Sequence, residues 1–434
     1  MTRYARYKPT GIPWLPEVPE EWDFLPLKSL FKSTFSGSWG ADVAQGERGT
    51  VCYRMADFDY EHGVVSDSKL TYRSYKGSEL QGKMLAVGDL LIEKSGGGDV
   101  SPVGRVVRVV SDRRATCSNF IQQVRCRDGI NSSFVCYLFA ALYARRLTRY
   151  YFNQTTGIQN LKVSRYLSVK VPMPSTIIQN AIVSFLDSKC GKIDRLVAAK
   201  EKEVALLKEL KQSMIAEAVT GRTSNRPMKP SGIPWLPEVP EGWEVKTLRQ
   251  LLKMVSRKGF PEKRLLSVTR EQGVIVRDVE SKEENHNFIP DDLSNYKLVE
   301  IGDFAINKMK SWQGSYGVSD YEGIVSPAYY VCRLSGVNRK FFSIAIRSRI
   351  YVSFFARFSK GIRVDQWDLS PIGLKEIPFL FPPLPEQREI AAYIAARAAK
   401  IDAAVGKLEA EVTALKEYRE RLVADVVTGQ RKVA

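Results

Sequence analysis

At 434 residues, 44% of them hydrophobic, the chain exceeds one ordinary core, so two domains plus connectors are expected. Its 65 Lys and Arg against 48 Asp and Glu leave a formal net charge of +17, which points to a polyanionic partner, nucleic acid before membrane. Six scattered Cys without a CxxC pair, and only two His (His62 and His286), argue against zinc fingers and a disulfide framework and for a reducing cytosol. The segment Met1 to Pro9 lacks the apolar run of a signal peptide. The longest apolar stretch, Phe134 to Ala144, is about half of the ~20 residues that a bilayer span needs.

The first element is a proline-rich arm, residues 7–22, whose four prolines predict an extended segment. Trp14 is expected to pin it to the body by burial. A β-rich body follows. Gly88-Asp89 makes a turn into the apolar strand Leu90-Leu91-Ile92, and Ser95-Gly96-Gly97-Gly98 comes after it. A further strand is predicted at Phe120–Arg125 and an amphipathic helix with a basic end at Phe134–Tyr150. A polar Gly-Ile loop, Asn153–Leu161, and a strand into Pro172-Met173-Pro174 complete the body. A long helix then runs from Gln179 to Thr220, rich in Ala, Leu, Glu, Lys and Arg and free of Pro.

The chain then repeats this order. A second arm, 228–243, matches the first nearly letter for letter, with Trp235 in the place of Trp14. In the second body Gly302-Asp303 precedes Phe304-Ala305-Ile306, Asn307–Gly314 replaces the glycine loop, and Ala328–Arg333 is the further strand. Lys340–Phe354 is the basic-ended helix and Phe358–Asp365 the Gly-Ile loop. The second long helix, Gln387–Thr428, lies at a constant offset of 208 positions from the first (387 − 179 and 428 − 220). Such self-similarity marks an internal two-fold repeat. Arms and helices repeat closely while the bodies keep only framework positions, as expected if two different ligands are held in one fixed geometry.

The long helices carry heptads. Ile394, Ile401, Leu408, Leu415 and Leu422 fall seven apart, and Val405 and Val412 belong to a second row four residues on. The first copy has Leu186, Ile193, Leu207 and Met214, with Val197 and Val204 in its second row. Lys200 and Lys211 interrupt it, and Lys211 shares the seam position of Arg419. Spacings of four and three over several heptads mark a coiled-coil seam, and the matched registers make each helix the expected partner of the other.

No catalytic constellation is evident. The Ser95–Gly98 segment lacks the Gly-Lys-Ser/Thr ending of a phosphate loop and the GxGxxG spacing of a dinucleotide fold. No Asn/Asp-Pro-Pro-Tyr/Phe segment occurs, and two His cannot build acid–base or metal chemistry twice. Catalytic and metal-ligating residues are therefore expected to be absent. What remains is a binding surface. The glycine-loop positions offer Lys94 in the first body and Lys308, Lys310, Trp312 and Gln313 in the second. The basic helix ends offer Arg145, Arg146 and Arg149, and Arg347, Arg349 and Arg357. The Gly-Ile loops offer Asn153, Gln154, Gln159 and Asn160, against Lys360, Arg363 and Gln366. Arg and Lys pair with phosphates or read guanine, and amides read adenine edges.

In this organisation the chain resembles, over its whole length, the specificity subunit of type I restriction-modification enzymes. The matching residues are Pro-Glu-Val-Pro-Glu-x-Trp at 16–22 and 237–243, and Gly88-Asp89 and Gly302-Asp303 before an apolar strand. Pro382-Pro383-Leu384-Pro385-Glu386-Gln387-Arg388-Glu389-Ile390, followed by Ile401-Asp402, matches too. The first copy departs at Ser175–Gln179, which keeps the Gln and lacks the Glu.

The resemblance implies an α+β fold with an internal pseudo-two-fold repeat. Two similar β-rich target-recognition domains, 1–175 and 223–384, are joined by two long antiparallel coiled-coil helices, 176–222 and 385–434. Each domain is then expected to read one half of a bipartite asymmetric site in double-stranded DNA, while the helices fix the gap. The implied partners are two modification (methyltransferase) subunits, which methylate adenine, and restriction (translocase and nuclease) subunits, which cleave. S-adenosylmethionine, ATP and Mg are expected on those partners and no cofactor on this chain, which is not itself an enzyme and has no membrane role. The alternatives are a stand-alone DNA-modifying or DNA-cleaving enzyme, and a structural coiled-coil adaptor.

Overall fold

The computed structural model describes residues 3–45, 48–98, 100–155, 157–234, 236–279, 289–361 and 367–433. The chain divides into two compact units. The first is Met1–Lys200 with Ala410–Ala434, and the second is Glu201–Glu409. The fold is mixed α/β, and its longest elements are two helices of 44 residues, Thr176–Val219 and Leu384–Val427. The compact units do not follow a linear division into domains and helices, since each takes residues from both long helices.

Both long helices stop at the same signal. Thr220 and Thr428 turn their hydroxyls back onto the carbonyls of Ala216 and Ala424, at 2.7 and 2.6 Å. Gly221 and Gly429 follow with φ of 76° and 73°, the left-handed conformation that ends a helix. Glycine is required here for space as well. A Cβ on Gly221 would sit 2.3 Å from Pro240, and one on Gly429 would sit 2.5 Å from Pro19.

In the first unit the arm folds back on itself as an antiparallel ribbon, Tyr7–Ile12 with Leu15–Pro19. The prolines are tolerated because both strands of an isolated ribbon are edges. The extended arm predicted from the sequence is therefore a hairpin, and Trp22, 1% exposed, is its fully buried anchor, with half-buried Trp14 packed against the same core. The strands Asp23–Pro26 and Lys170–Met173 pair antiparallel, so the body's entry and exit lie side by side. Its main sheet has the order Phe31–Ser36, Ile121–Cys126, Leu90–Glu93, Val106–Arg108, Val64–Val65, Phe58–Asp59. One core packs Leu90, Ile92, Phe134, Leu138, Phe139 and Tyr166 against Leu186, Ile193, Val197, Val412 and Leu422 of the long helices.

The second unit repeats this plan with its own residues. Met228–Ile233 and Leu236–Pro240 form the ribbon, and Trp243 is the buried anchor; Trp235 lies outside the described residues. Entry and exit pair as Glu244–Thr247 with Pro378–Phe381. Leu252–Val255, Tyr330–Leu334, Phe304–Ile306 and Tyr316–Val318 form a four-stranded sheet, the strand order of the first unit. Its core joins Phe304, Phe341, Phe342, Tyr351 and Phe355 to Met214, Ala391 and Ile394.

Two predicted helices are broken. The segment Phe134–Tyr150 is a helix over Ser132–Ala144, a left-handed residue at Arg146 (φ 57°), and a 3-10 turn over Leu147–Tyr150. Lys340–Phe354 is two helices, Arg339–Ile346 and Arg349–Phe358, with Ser348 starting the second.

One buried side chain joins body to long helix in each unit. Gln179 accepts from the N–H of Asn131 at 2.9 Å and donates to the Pro174 carbonyl at 2.8 Å. Gln387 accepts from the N–H of Asn338 at 2.8 Å and donates to the Pro382 carbonyl at 2.7 Å. Asn131 and Asn338 are themselves the N-caps of the helices Ser132–Ala144 and Arg339–Ile346. Gln179→Leu or Gln387→Leu orphans a part-buried N–H and a buried carbonyl. At about 1–3 kcal/mol for the buried carbonyl and less for the part-buried N–H, which water partly reaches, each change is expected to cost about 2–4 kcal/mol. Urea unfolding of the variants measures this, and an unchanged midpoint would show that the amides hold nothing.

Between the long helices, the first unit pairs Arg419 with Asp194 at 2.8 Å and Lys200 with Glu411. The second pairs Lys211 with Asp402 at 2.7 Å and Lys208 with Glu409 at 2.8 Å. In both units the partner's number falls as the residue number rises, so the segments run antiparallel. The three charged interruptions of the seam, Lys200, Lys211 and Arg419, each hold a carboxylate of the facing helix. Leu186, Ile193, Val197, Val204, Met214, Ile394, Val405, Val412 and Leu422 are buried, while Leu207, Ile401, Leu408 and Leu415 are half-buried.

Candidate nucleic-acid interface

A Gly-Asp turn leads into a central strand of each unit's sheet. Gly88 and Gly302 adopt φ of 89° and 93°, and each following Asp folds back onto the backbone, accepting from the N–H of Ala86 or Glu300. Asp89 is held by both forks of Arg125 at 2.7 Å, and Asp303 lies near Arg257 and Arg333. Burial raises the Asp303 carboxyl above the usual range. Buried Glu93 accepts from Arg105 and from the Tyr60 hydroxyl. These buried carboxylates are thus tied up in holding the sheet. Among the described residues no group of three His, Cys, Asp or Glu is placed to hold a metal ion, and no helix is long and apolar enough to cross a membrane.

In the first unit the loop after the Leu90–Glu93 strand becomes a short strand itself. Ser95–Gly96 pairs with Ile158–Leu161, which pairs with Phe152–Thr155. The glycine loop and the Gly-Ile loop, both singled out in the sequence, thereby form one small sheet. Asn153, Gln154 and Asn160 are exposed on it. Gln159 is not: it is 2% exposed, accepts from the N–H of Val103 at 3.0 Å and donates to Gln154 at 3.3 Å. Strand alternation turns it inward, so it braces the sheet and has no edge to offer a base. Lys94 gives its ammonium to the Ser36 hydroxyl at 2.6 Å. Arg145 bonds the Trp14 carbonyl and lies over that indole, and burial lowers its pKa. Arg146 and Arg149 are exposed and line a cleft of about 410 Å³ with Tyr143 and Thr148.

In the second unit Lys308 pairs with Asp368 at 3.0 Å, a contact that raises its pKa. Lys310 is exposed. Trp312 packs on Trp367 with ring centres 5.1 Å apart, and Gln313 is half-buried. Arg347 is spent on the backbone, donating to the carbonyls of Tyr316, Arg270 and Glu271 at 2.7, 3.0 and 2.8 Å, and burial lowers its pKa. Arg349, Arg357 and Lys360 are exposed, whereas Arg363 and Gln366 lie outside the described residues. The structure thus leaves Lys310, Arg349, Arg357 and Lys360 outward and turns Arg145, Arg347 and Gln159 into braces. A single sequence marks a cation without showing which carbonyls fold around it.

Several exposed apolar side chains near the first sheet were not singled out from sequence. Phe120 is 49% exposed, Ile158 51% and Tyr150 81%. The period-two alternation of Ile158-Gln159-Asn160-Leu161 was the available signal.

No family model matches the sequence. The chain is 21% identical over 446 residues to the type I restriction enzyme MjaIX specificity subunit of Methanocaldococcus jannaschii, covering 96% of this chain and 95% of that protein. It is 23% identical over 295 residues to the type I restriction enzyme StySPI specificity subunit of Salmonella potsdam, covering 63% and 60%. A solved chain from work on complex assembly and conformational transition of the type I R-M system superposes with a TM-score of 0.69 at 13% identity, over 95% of this chain and 99% of that one. This last likeness concerns the fold.

Proposed function

We infer that this chain is the specificity subunit of a type I restriction-modification enzyme, the class of both curated relatives. It binds DNA sequence-specifically and does no chemistry itself. The observation that carries the reading is the twice-built plan. Each unit has a sheet faced with exposed polar and basic loops, one buried Gln joining that body to a long helix, and one Trp-anchored ribbon at a helix end. Two such readers with unlike loops suit a bipartite asymmetric site.

On this reading the bodies within 1–175 and 223–384 are target-recognition domains. The antiparallel helices are a coiled-coil spacer, supported by the cross-helix ion pairs within each unit and by the buried seam. The chain assembles with other subunits of its system. Two methyltransferase subunits carry S-adenosylmethionine and methylate adenine N6, and restriction subunits use ATP and Mg to translocate and cleave. The subunit then works in the cytoplasm.

Mapping methylated adenines in cells with and without an intact copy of this chain tests the reading. A bipartite motif that is lost on deletion supports it. Loss of no motif, or S-adenosylmethionine-dependent methylation by the purified chain alone, overturns it.

The exposed and the paired lysine should also differ. Lys310→Ala is expected to lower the salt slope of DNA binding by about 0.9, the value of one phosphate contact. Lys308→Ala, which frees Asp368 as well, is expected to lower overall affinity more than the slope. Binding titrations of the assembled methyltransferase across salt concentrations separate the two, and an unchanged slope for Lys310→Ala removes that loop from the interface.

A further inference from the structure

We propose that the half-site read by the first unit contains A·T pairs beyond the adenine that is modified, recognised by a row of amide and apolar side chains on its small three-stranded sheet. The proposal rests on the reading of the chain as a DNA specificity subunit and gives that site its base preference.

Strand alternation defines the row. On Ile158–Leu161, Ile158 and Asn160 face out, while Gln159 and Leu161 are 2% and 5% exposed. Residues paired across antiparallel strands share a face. Ser95 pairs with Asn160 on one side and Asn153 pairs with it on the other. Ser95, Asn160 and Asn153 therefore line up across three strands, with Ile158 on the same face. The Ser95 hydroxyl donates to the Asn160 amide oxygen at 2.7 Å, which fixes that amide and leaves its NH2 to donate outward. Phe120 adjoins the end of the row, because its carbonyl accepts the N–H groups of Lys94 and Ser95 at 2.8 and 3.2 Å.

The chemistry of the row matches one kind of base pair. Asn reads the N6 and N7 edge of adenine, and apolar groups meet the thymine methyl, whereas guanine is read by Arg or Lys. The row itself carries no cation, and neighbouring Lys94 is engaged by Ser36. Gly97 and Gly98 beside it add no side chain that would hold a duplex away, and a Cβ at Gly98 would meet nothing within 4 Å.

The test uses the assembled methyltransferase and the motif found by mapping methylated adenines. The first unit's half-site is the half that changes when its body is exchanged. Duplexes in which deoxyuridine replaces thymidine there lack only the methyl groups, and duplexes substituted in the other half serve as controls. The expected result is at least one A·T pair beyond the modified adenine and binding weakened roughly tenfold by deoxyuridine in that half. In Ile158→Ala or Phe120→Ala complexes the thymidine and deoxyuridine duplexes should bind alike. Both side chains are about half exposed, so the variants are expected to fold, and a urea-unfolding midpoint equal to that of the parent checks this. A bipartite motif whose first half is otherwise all G·C overturns the proposal, as does equal binding of the two duplexes by the parent complex. The absence of any bipartite motif overturns the underlying reading instead.

Discussion

Exchanging residues 24–171 for the body of another such subunit is expected to change one half of the methylated motif completely and leave the other half untouched. The physical basis is the pairing of Pro26 with Lys170 and Leu25 with Val171, which brings both cut ends onto one ribbon. A body entering and leaving the scaffold at one place can be replaced without moving the scaffold. The conditions on the donor follow from the contacts that cross the cut. It must offer a backbone N–H to Gln179, as Asn131 does. It must also offer a carbonyl to Arg419, as Glu61 does. The bond from half-buried Tyr137 ends on the exposed carboxylate of Asp187, which water can serve in its place, so a donor without it loses little. Sequencing methylated sites in cells carrying the hybrid gives the answer. A motif altered in both halves would mean that the two units do not read independently.

Adding one heptad to both long helices is expected to lengthen the gap between the half-sites by up to about three base pairs while keeping both half-sites. The sites after Ala205 and after Thr413 are equivalent at the 208 offset (413 − 205). Seven residues add roughly 10 Å of helix, close to three base pairs at ~3.4 Å each. A heptad repeats the seam, with only about 20° of rotation about the helix axis. Duplicating residues 199–205 and 407–413 also copies Lys200 and Glu411, which pair in the first unit, so each copy keeps an opposite charge within its repeat. The duplex turns by close to a third of a revolution over three base pairs, so activity is expected to fall even where the longer gap is accepted. A heptad in one helix alone mispairs the seam beyond the insertion and should do worse. Methylated-site sequencing from cells carrying the double insertion decides the matter. An active variant that still methylates the original spacing would show that the helices do not set the gap.

The sequence by itself determined the long helices and the order of parts. Heptads, the absence of internal Pro and the Thr-Gly stop are local signals, and a helix needs only its own residues to satisfy its backbone. Duplication made them doubly legible, because the 208 offset aligns Asp194 with Asp402 and Lys211 with Arg419, the residues that form ion pairs within the two units. The tertiary structure decided what the surface residues do. Gln154 and Gln159 are alike in type and pair across one ladder, yet the Val103 N–H holds Gln159 in the interior while Gln154 stays exposed. Arg145 and Arg146 are adjacent, yet a left-handed turn sends one onto the Trp14 carbonyl and the other into solvent. The ribbon anchor is Trp22, because Gly429, some four hundred residues away in sequence, leaves room for its ring. In each case the deciding contact is long-range, and composition and spacing carry no record of which distant carbonyl or ring a side chain will meet.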